Sequence, residues 1–299
     1  MERAIVTGAA GHLGLELVRQ LQSAGIEVHA PVRAGTKTQT LEAMAVHLHP
    51  LDGTTERVVE ICQQAKPDAV FHVASLYCRD HKTADITPLV ESNILYGSQL
   101  LEGMRLSGCQ RMVTAGTFFQ HYNTDDYRAL NLYAASKQAF DDILAYYADA
   151  YGMAVATLIL YEIYSEHDIR RKLMTVIGDA CANGSPVNLP SDEFWVNFVH
   201  VEDVAAAFIQ AARLMEQGDL VAGQHRTYSI CAPQDTSSAD LVAQFQQATG
   251  AAVTVNRGAF TQPPRNMPTP WRGETLPGWS PKIDLAQGVS RLLAQRQGK

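Results

Sequence analysis

The chain has 299 residues, a net charge of −7, 46% hydrophobic and 18% charged residues. That is the make-up of an ordinary globular protein with ample core, in one large domain or two moderate ones. No basic block exceeds Arg170-Arg171-Lys172, which argues against a nucleic-acid surface. The five cysteines (Cys62, Cys78, Cys109, Cys181, Cys231) show no CxxC spacing, so neither a disulfide frame nor a zinc site is expected. There is no signal-peptide pattern and no apolar run of roughly 18 residues, so we expect a cytoplasmic protein away from membranes.

Ala4-Ile5-Val6 reads as a buried strand, followed at once by Thr7-Gly8-Ala9-Ala10-Gly11-His12-Leu13-Gly14. Leu13, Leu17 and Leu21 then recur at helical spacing, until Gly25 offers a stop. In this strand–turn–helix context the three glycines suit a dinucleotide: a tight turn, close approach of backbone to a pyrophosphate, and helix packed on strand. The alternative is a plain βα turn. Ile26–Arg33 reads as a second strand. Glu27 comes too early to bind a ribose 2′-hydroxyl. Arg33, with Lys37 just after it, would pair with a 2′-phosphate or else be a surface arginine. NADP(H) is therefore favoured, with NAD(H) as the alternative.

A third strand spans His47 to Asp52, and a helix follows over Val58–Gln64. Asp68–Ser75 is a fourth strand running into a loop at Ala74-Ser75. His72 within it is read as a core or cofactor-flanking group, because no paired ligand spacing points to a metal. A helix is expected over Val90–Met104 with Asn93 near its start. The fifth strand, Gln110–Ala115, ends at Gly116-Thr117. Asn131 is a candidate cap for a helix that carries Tyr133 and Lys137 and ends at Gly152. These two side chains, four residues apart, share one helix face, where an ammonium would favour the phenolate. Ala154–Leu160 is the sixth strand.

Strand–helix alternation of this kind implies a parallel doubly wound sheet of the Rossmann type, with helices on both faces and ligands at the strands' carboxyl ends. Gly8–Gly14, Arg33, Asp52, Ala74-Ser75 and Thr117 all follow strand ends and would converge on one edge. Beyond Leu160 the pattern is less regular. Arg170-Arg171-Lys172 is either a solvated helix start or a clamp on substrate phosphate. Phe198–Val204 precedes an alanine-rich helix, Thr227–Ile230 is a strand, and Ser238–Thr249 is a helix capped by Ser237 or Ser238. The four prolines between Pro263 and Pro270 exclude regular structure, and the tail from Gln295 is expected to fray. We assign residues 1–163 and about 192–228 to a dinucleotide-binding domain. Residues 164–191 and 229–299 form a smaller α/β substrate-binding domain.

Together these stretches resemble the extended short-chain dehydrogenase/reductase family, of the nucleotide-sugar epimerase and dehydratase type. The resemblance rests on Thr7-Gly8-x-x-Gly11-x-x-Gly14, His72-x-Ala74-Ser75, Thr117, Tyr133-x-x-x-Lys137 and Phe198-Val199-His200-Val201-x-Asp203-Val204. It implies a catalytic set of Thr117, Tyr133 and Lys137. Cofactor contacts would come from Gly8, Gly11, His12, Leu13, Gly14, Arg33, Asp52, Ala74, Ser75, Asn93, Tyr133 and Lys137. Thr117, Phe118, Arg170, Arg171 and Lys172 would meet a nucleotide-diphosphate sugar. Homodimerisation through the Tyr133 helix and the preceding long helix is also implied.

Family dehydratases carry an acidic pair after the catalytic Thr. Here Phe118-Phe119 stand there, which argues against dehydration. The stretches around Thr117 and Tyr133 look most like reductases of CDP-linked 4-keto-6-deoxysugars, the CDP-abequose synthase group. A 4-epimerase with retained NAD, or a nonenzymatic dinucleotide sensor on the same fold, are the competing expectations.

Overall fold

The computed structural model describes residues 1–296. Seven strands build the central sheet: β1 (Arg3–Thr7), β2 (Glu27–Val32), β3 (His47–Pro50), β4 (Ala69–His72), β5 (Arg111–Thr117), β6 (Ala154–Leu160) and β7 (His225–Ile230). Their order is β7-β6-β5-β4-β1-β2-β3, and every pairing is parallel. The chain leaves β1 outward to β2 and β3, then crosses back to lay β4 on the other flank of β1. That reversal opens a crevice at the carboxyl ends of β1 and β4, where ligands of such sheets bind.

The inner strands β1, β4 and β6 are largely apolar because helices cover both faces. Successive residues point to opposite sides, so Ala4 and Val6 enter one core and Ile5 the other. The first core packs the His12–Ser23 and Val201–Gln217 helices on the sheet. The second packs Thr55–Ala65, Tyr96–Ser107 and Leu132–Tyr151. A third core lies beyond the sheet and draws on the helices Leu173–Asn183, Ser238–Thr249 and Leu285–Arg296.

Several local expectations hold in detail. The Asn131 side chain accepts from the Ala134 N–H at 2.9 Å, and Gly152 closes that helix in the left-handed conformation. Ser237, not Ser238, caps the Ser238–Thr249 helix. Residues 263–270 are irregular. The expected helix over Val90–Met104 is longer and interrupted. It begins at Ile86, passes through a π-helical turn at Glu91–Leu95, and continues as Tyr96–Ser107. The wider turn carries Asn93, which is buried there.

Candidate active site

The glycine turn fits backbone against backbone. Gly8 has φ +67°, and a Cβ on it would lie 2.9 Å from the Ala74 backbone at the mouth of β4. A Cβ on Gly14 would fall 2.1 Å from the Gly8 carbonyl oxygen, so the helix can rest on the turn only with glycine there. Gly11 is the helix N-cap and offers no capping side chain, and the first turn holds no acidic residue. The N–H groups that open this helix, beginning with His12 and Leu13, are therefore left for an anion. These features fit a dinucleotide pyrophosphate.

The β4 loop is tied to this turn and to the Tyr133 helix. Thr7 Oγ1 meets His72 Nδ1 at 2.9 Å and accepts from the Ala74 N–H at 3.2 Å. His72 is fully buried, and burial pushes it down to about 3, so it is neutral. It serves as a core bracket. Ser75 donates to Asn93 Oδ1 at 3.1 Å and faces the Tyr133 phenol. The Asn93 amide finds all its hydrogen-bond partners within the protein. Its Oδ1 also accepts from the Leu76 N–H, while its Nδ2 donates to the Leu76 carbonyl and to Ser136 Oγ. Its amide is consumed in pinning the Ser75 loop to the Tyr133 helix.

Tyr133 stands edge-on to Tyr77, with ring centroids 5.0 Å apart. Burial pushes its phenol up to about 12; Ser75 opposes this and Tyr77 adds to it. Burial, and not the Lys137 ammonium, therefore sets the direction of the shift in the cofactor-free protein. Lys137 is itself buried, and burial lowers it to about 8 against the opposing pull of Asp141. Thr117 ends β5 almost buried, and its Oγ1 accepts from the Phe119 N–H. Phe118 stacks on Tyr161 at 5.2 Å. Thr114, three residues earlier on β5, donates inside the sheet to the His72 carbonyl.

Arg33 lies just past the end of β2, exposed, and forms no ion pair among the described residues. Glu27 is occupied at the opposite end of the strand, with His29 and His47. Asp52 follows β3 and uses one oxygen, Oδ1, for both the Thr54 N–H and Oγ1. The basic cluster does not act as three free cations. Arg170 is held bidentately by Asp168, and Lys172 is paired to Glu162 at 2.7 Å. Arg171 alone is exposed without an ion pair among the described residues. Asp168 also faces His12 Nε2 at 3.8 Å, which brings this loop over the start of the glycine-turn helix. Glu166, His200 and Glu202 lie close enough to hold a cation. They are already engaged, His200 with Glu166 at 2.9 Å and Glu202 with Arg291 at 3.0 Å.

Sequence reasoning missed Tyr77 and Asp168, which sit in loops without periodicity. It also passed over Asp141, though a carboxylate one turn beyond Lys137 continues the Tyr133–Lys137 spacing.

Residues 4–231 match the NAD dependent epimerase/dehydratase family. The chain belongs to that family. Its members are extended short-chain dehydrogenase/reductases, and this epimerase/dehydratase-family protein is an NAD(P)-dependent enzyme of that type. It is 25% identical to the CDP-abequose synthase of Salmonella typhimurium, over 98% of this chain and 97% of that one. It is 22% identical to a UDP-glucose 4-epimerase of Mycolicibacterium smegmatis, over 97% and 96%. A UDP-glucose-4-epimerase structure from Stenotrophomonas maltophila, solved with NAD and formylated UDP-arabinopyranose, superposes with a TM-score of 0.86. It covers 100% of this chain and 98% of that one at 19% identity. The likeness in fold therefore takes in the less regular C-terminal part as well as the Rossmann sheet.

Proposed function

We propose that the protein reduces the 4-keto group of a nucleotide-linked 4-keto-6-deoxysugar with NADPH. The full-length likeness to CDP-abequose synthase carries this reading, and CDP is the first nucleotide to test. The cofactor, when bound, supplies hydride to the carbonyl carbon. Gly8, Gly11 and Gly14 would shape its pyrophosphate seat, with Ala74 and Ser75 beside it and Asp52 and Arg33 toward the adenosine end. The unpaired Arg33 guanidinium suits a 2′-phosphate and so favours NADP.

Tyr133 donates the proton to the nascent alkoxide. A phenol held near 12 keeps its proton at neutral pH, the state a reductase must start from. Lys137, lowered only to about 8, is mostly ammonium at pH 7 and binds the nicotinamide ribose while easing ionisation of Tyr133. Thr117 hydrogen-bonds the carbonyl oxygen, where a preorganised donor has most effect. Phe118 supplies an apolar wall, and Arg171 is the cation free for substrate phosphate.

The epimerase reading is supported by the Mycolicibacterium relative. An epimerase keeps its nicotinamide and returns the hydride to the same sugar. Purified protein carrying stoichiometric NAD would count against a reductase. Offering NADPH with CDP-, dTDP- and GDP-linked 4-keto-6-deoxysugars, and following absorbance at the reduced nicotinamide band, tests the reading directly. No oxidation with any of the three would overturn it.

The protein is proposed to work as a homodimer in the cytoplasm. Ile86, Val90 and Leu95 on one long helix, and Tyr146 and Tyr151 on the Tyr133 helix, expose apolar surface. All five cysteines are free. Sedimentation equilibrium tests the dimer.

A further inference from the structure

Asp141 lies two helical turns beyond Tyr133 and one beyond Lys137, so the three share a helix face. Its carboxylate is buried and receives two chains of hydrogen bonds. On one side Thr157 Oγ1 donates to Asp141 Oδ1 at 2.7 Å, and Thr157 stands 2.9 Å from His225 Nε2. Because the hydroxyl proton is spent on the carboxylate, His225 must donate to the hydroxyl oxygen. On the other side Gln120 Nε2 donates to Asp141 Oδ2 at 2.8 Å, and Gln120 Oε1 accepts from the Thr117 N–H at 3.0 Å. A carboxylate can only accept. It therefore fixes which way the Gln120 amide faces, and the amide in turn fixes the Thr117 backbone.

We propose that Asp141 is the positioning residue of this site: through Gln120 it orients the Thr117 turn, and one turn along its own helix it places a carboxylate on the face that carries Lys137. The proposal rests on the assignment of Thr117, Tyr133 and Lys137 as the reacting set. Burial drives Lys137 toward the neutral amine, and Asp141 is the group that opposes it. The other titratable groups facing this pair are His72 from β4, which is neutral, and His225 from β7, whose surroundings also include Asp142. None of them supplies a second negative charge next to Lys137. A plain packing carboxylate would not need to tie the strand-end turn to the helix that carries Lys137.

The test is an NMR titration of lysine labelled with ¹³C at the ε-carbon, with Lys137 assigned by its loss in Lys137→Arg. It reads the ammonium directly and needs no substrate, so it stands or falls apart from the ketoreductase assignment. In Asp141→Asn the Lys137 midpoint should move down by at least about one pH unit, the effect of losing an adjacent opposite charge. The charged fraction at pH 8 would then fall roughly fivefold. Asp141→Glu should restore the midpoint, and Asp142→Asn should leave it in place.

Gln120→Met cuts the Thr117 arm, together with the Gln138 contact, and leaves Asp141 and Lys137 on their helix face. It should lower kcat with the Lys137 midpoint and the pH profile unchanged, while Asp141→Asn also moves the alkaline limb of the profile to lower pH. An unmoved Lys137 midpoint in a folded Asp141→Asn overturns the proposal. So does Gln120→Met with wild-type kcat, and that variant alone decides the matter if Asp141→Asn does not fold.

Discussion

Gly14 rests on Gly8 so tightly that a Cβ on Gly14 would sit 2.1 Å from the Gly8 carbonyl oxygen and 2.8 Å from the Ala9 Cα. The obstructing atoms are backbone in the turn that would receive the pyrophosphate, so no side chain can swing aside. Gly14→Ala should displace the turn at an overpacking cost of about 1–3 kcal/mol. NADPH affinity, followed by cofactor fluorescence, should fall at least about tenfold while the far-UV dichroism stays native. Wild-type affinity would show that the turn does not contact the cofactor.

Tyr133→Phe removes the proposed proton donor and leaves the ring packed on Tyr77. Turnover should fall by about 10²–10⁴-fold, the usual contribution of a positioned acid, with cofactor binding nearly unchanged. An ultraviolet titration of wild type minus variant should place the lost phenol near 12 in the cofactor-free protein. Ionisation near neutral pH would mean that Lys137, and not burial, governs it.

Arg33→Ser should shift cofactor preference from NADPH toward NADH. A charge-assisted hydrogen bond to phosphate contributes about 1.5–3 kcal/mol, or roughly 10- to 100-fold in the ratio of the two affinities. Comparing dissociation constants for both cofactors checks this. An unchanged ratio would make Arg33 a surface residue.

Asn93 tests the bracket behind the site. Asn93→Ala leaves the Leu76 N–H and carbonyl and the Ser136 hydroxyl without that partner. The Leu76 groups are partly buried and Ser136 keeps its bond to the Tyr133 carbonyl, so urea unfolding should show a loss of about 1–3 kcal/mol. Asn93→Asp should cost at least as much, because it buries a carboxylate against the Leu76 carbonyl.

Acid should destabilise the fold through its buried histidines. His72 titrates near 3 and His12 near 4 in the native state, against 6.5 for an unperturbed imidazole. Above pH 6.5 both states leave these rings neutral, so the contribution is fully present. As pH falls from 6.5 toward the native values, the unfolded chain takes up protons that the folded one refuses, and stability is lost. Urea midpoints measured between pH 7.5 and 5 should drop steadily. His72→Asn should flatten the slope.

The first six strands, the glycine turn and the Tyr133 helix with its Asn131 cap and Gly152 stop were all legible in the chain, because each is written in contiguous residues. A buried parallel strand must be an apolar run, a helix end needs its cap, and a tight βα turn needs its glycines. Local rules of that kind also located the Tyr133–Lys137 pair and the strand ends that border the site. Partnerships between distant residues were not legible. Asn93 turned inward because a π-helical turn aims it at Leu76 and Ser136. Arg170 and Lys172 were already neutralised by Asp168 and Glu162. Burial, a property of the assembled core, lifted Tyr133 where its neighbour Lys137 had been expected to lower it. Periodicity and spacing are carried by the chain itself, and they determined the fold class and pointed to the Tyr133–Lys137 pair. Hydrogen-bond partners and desolvation exist only once the sheet has brought remote segments together, and the tertiary structure alone decided which charges are free and which side chains hold the others in place.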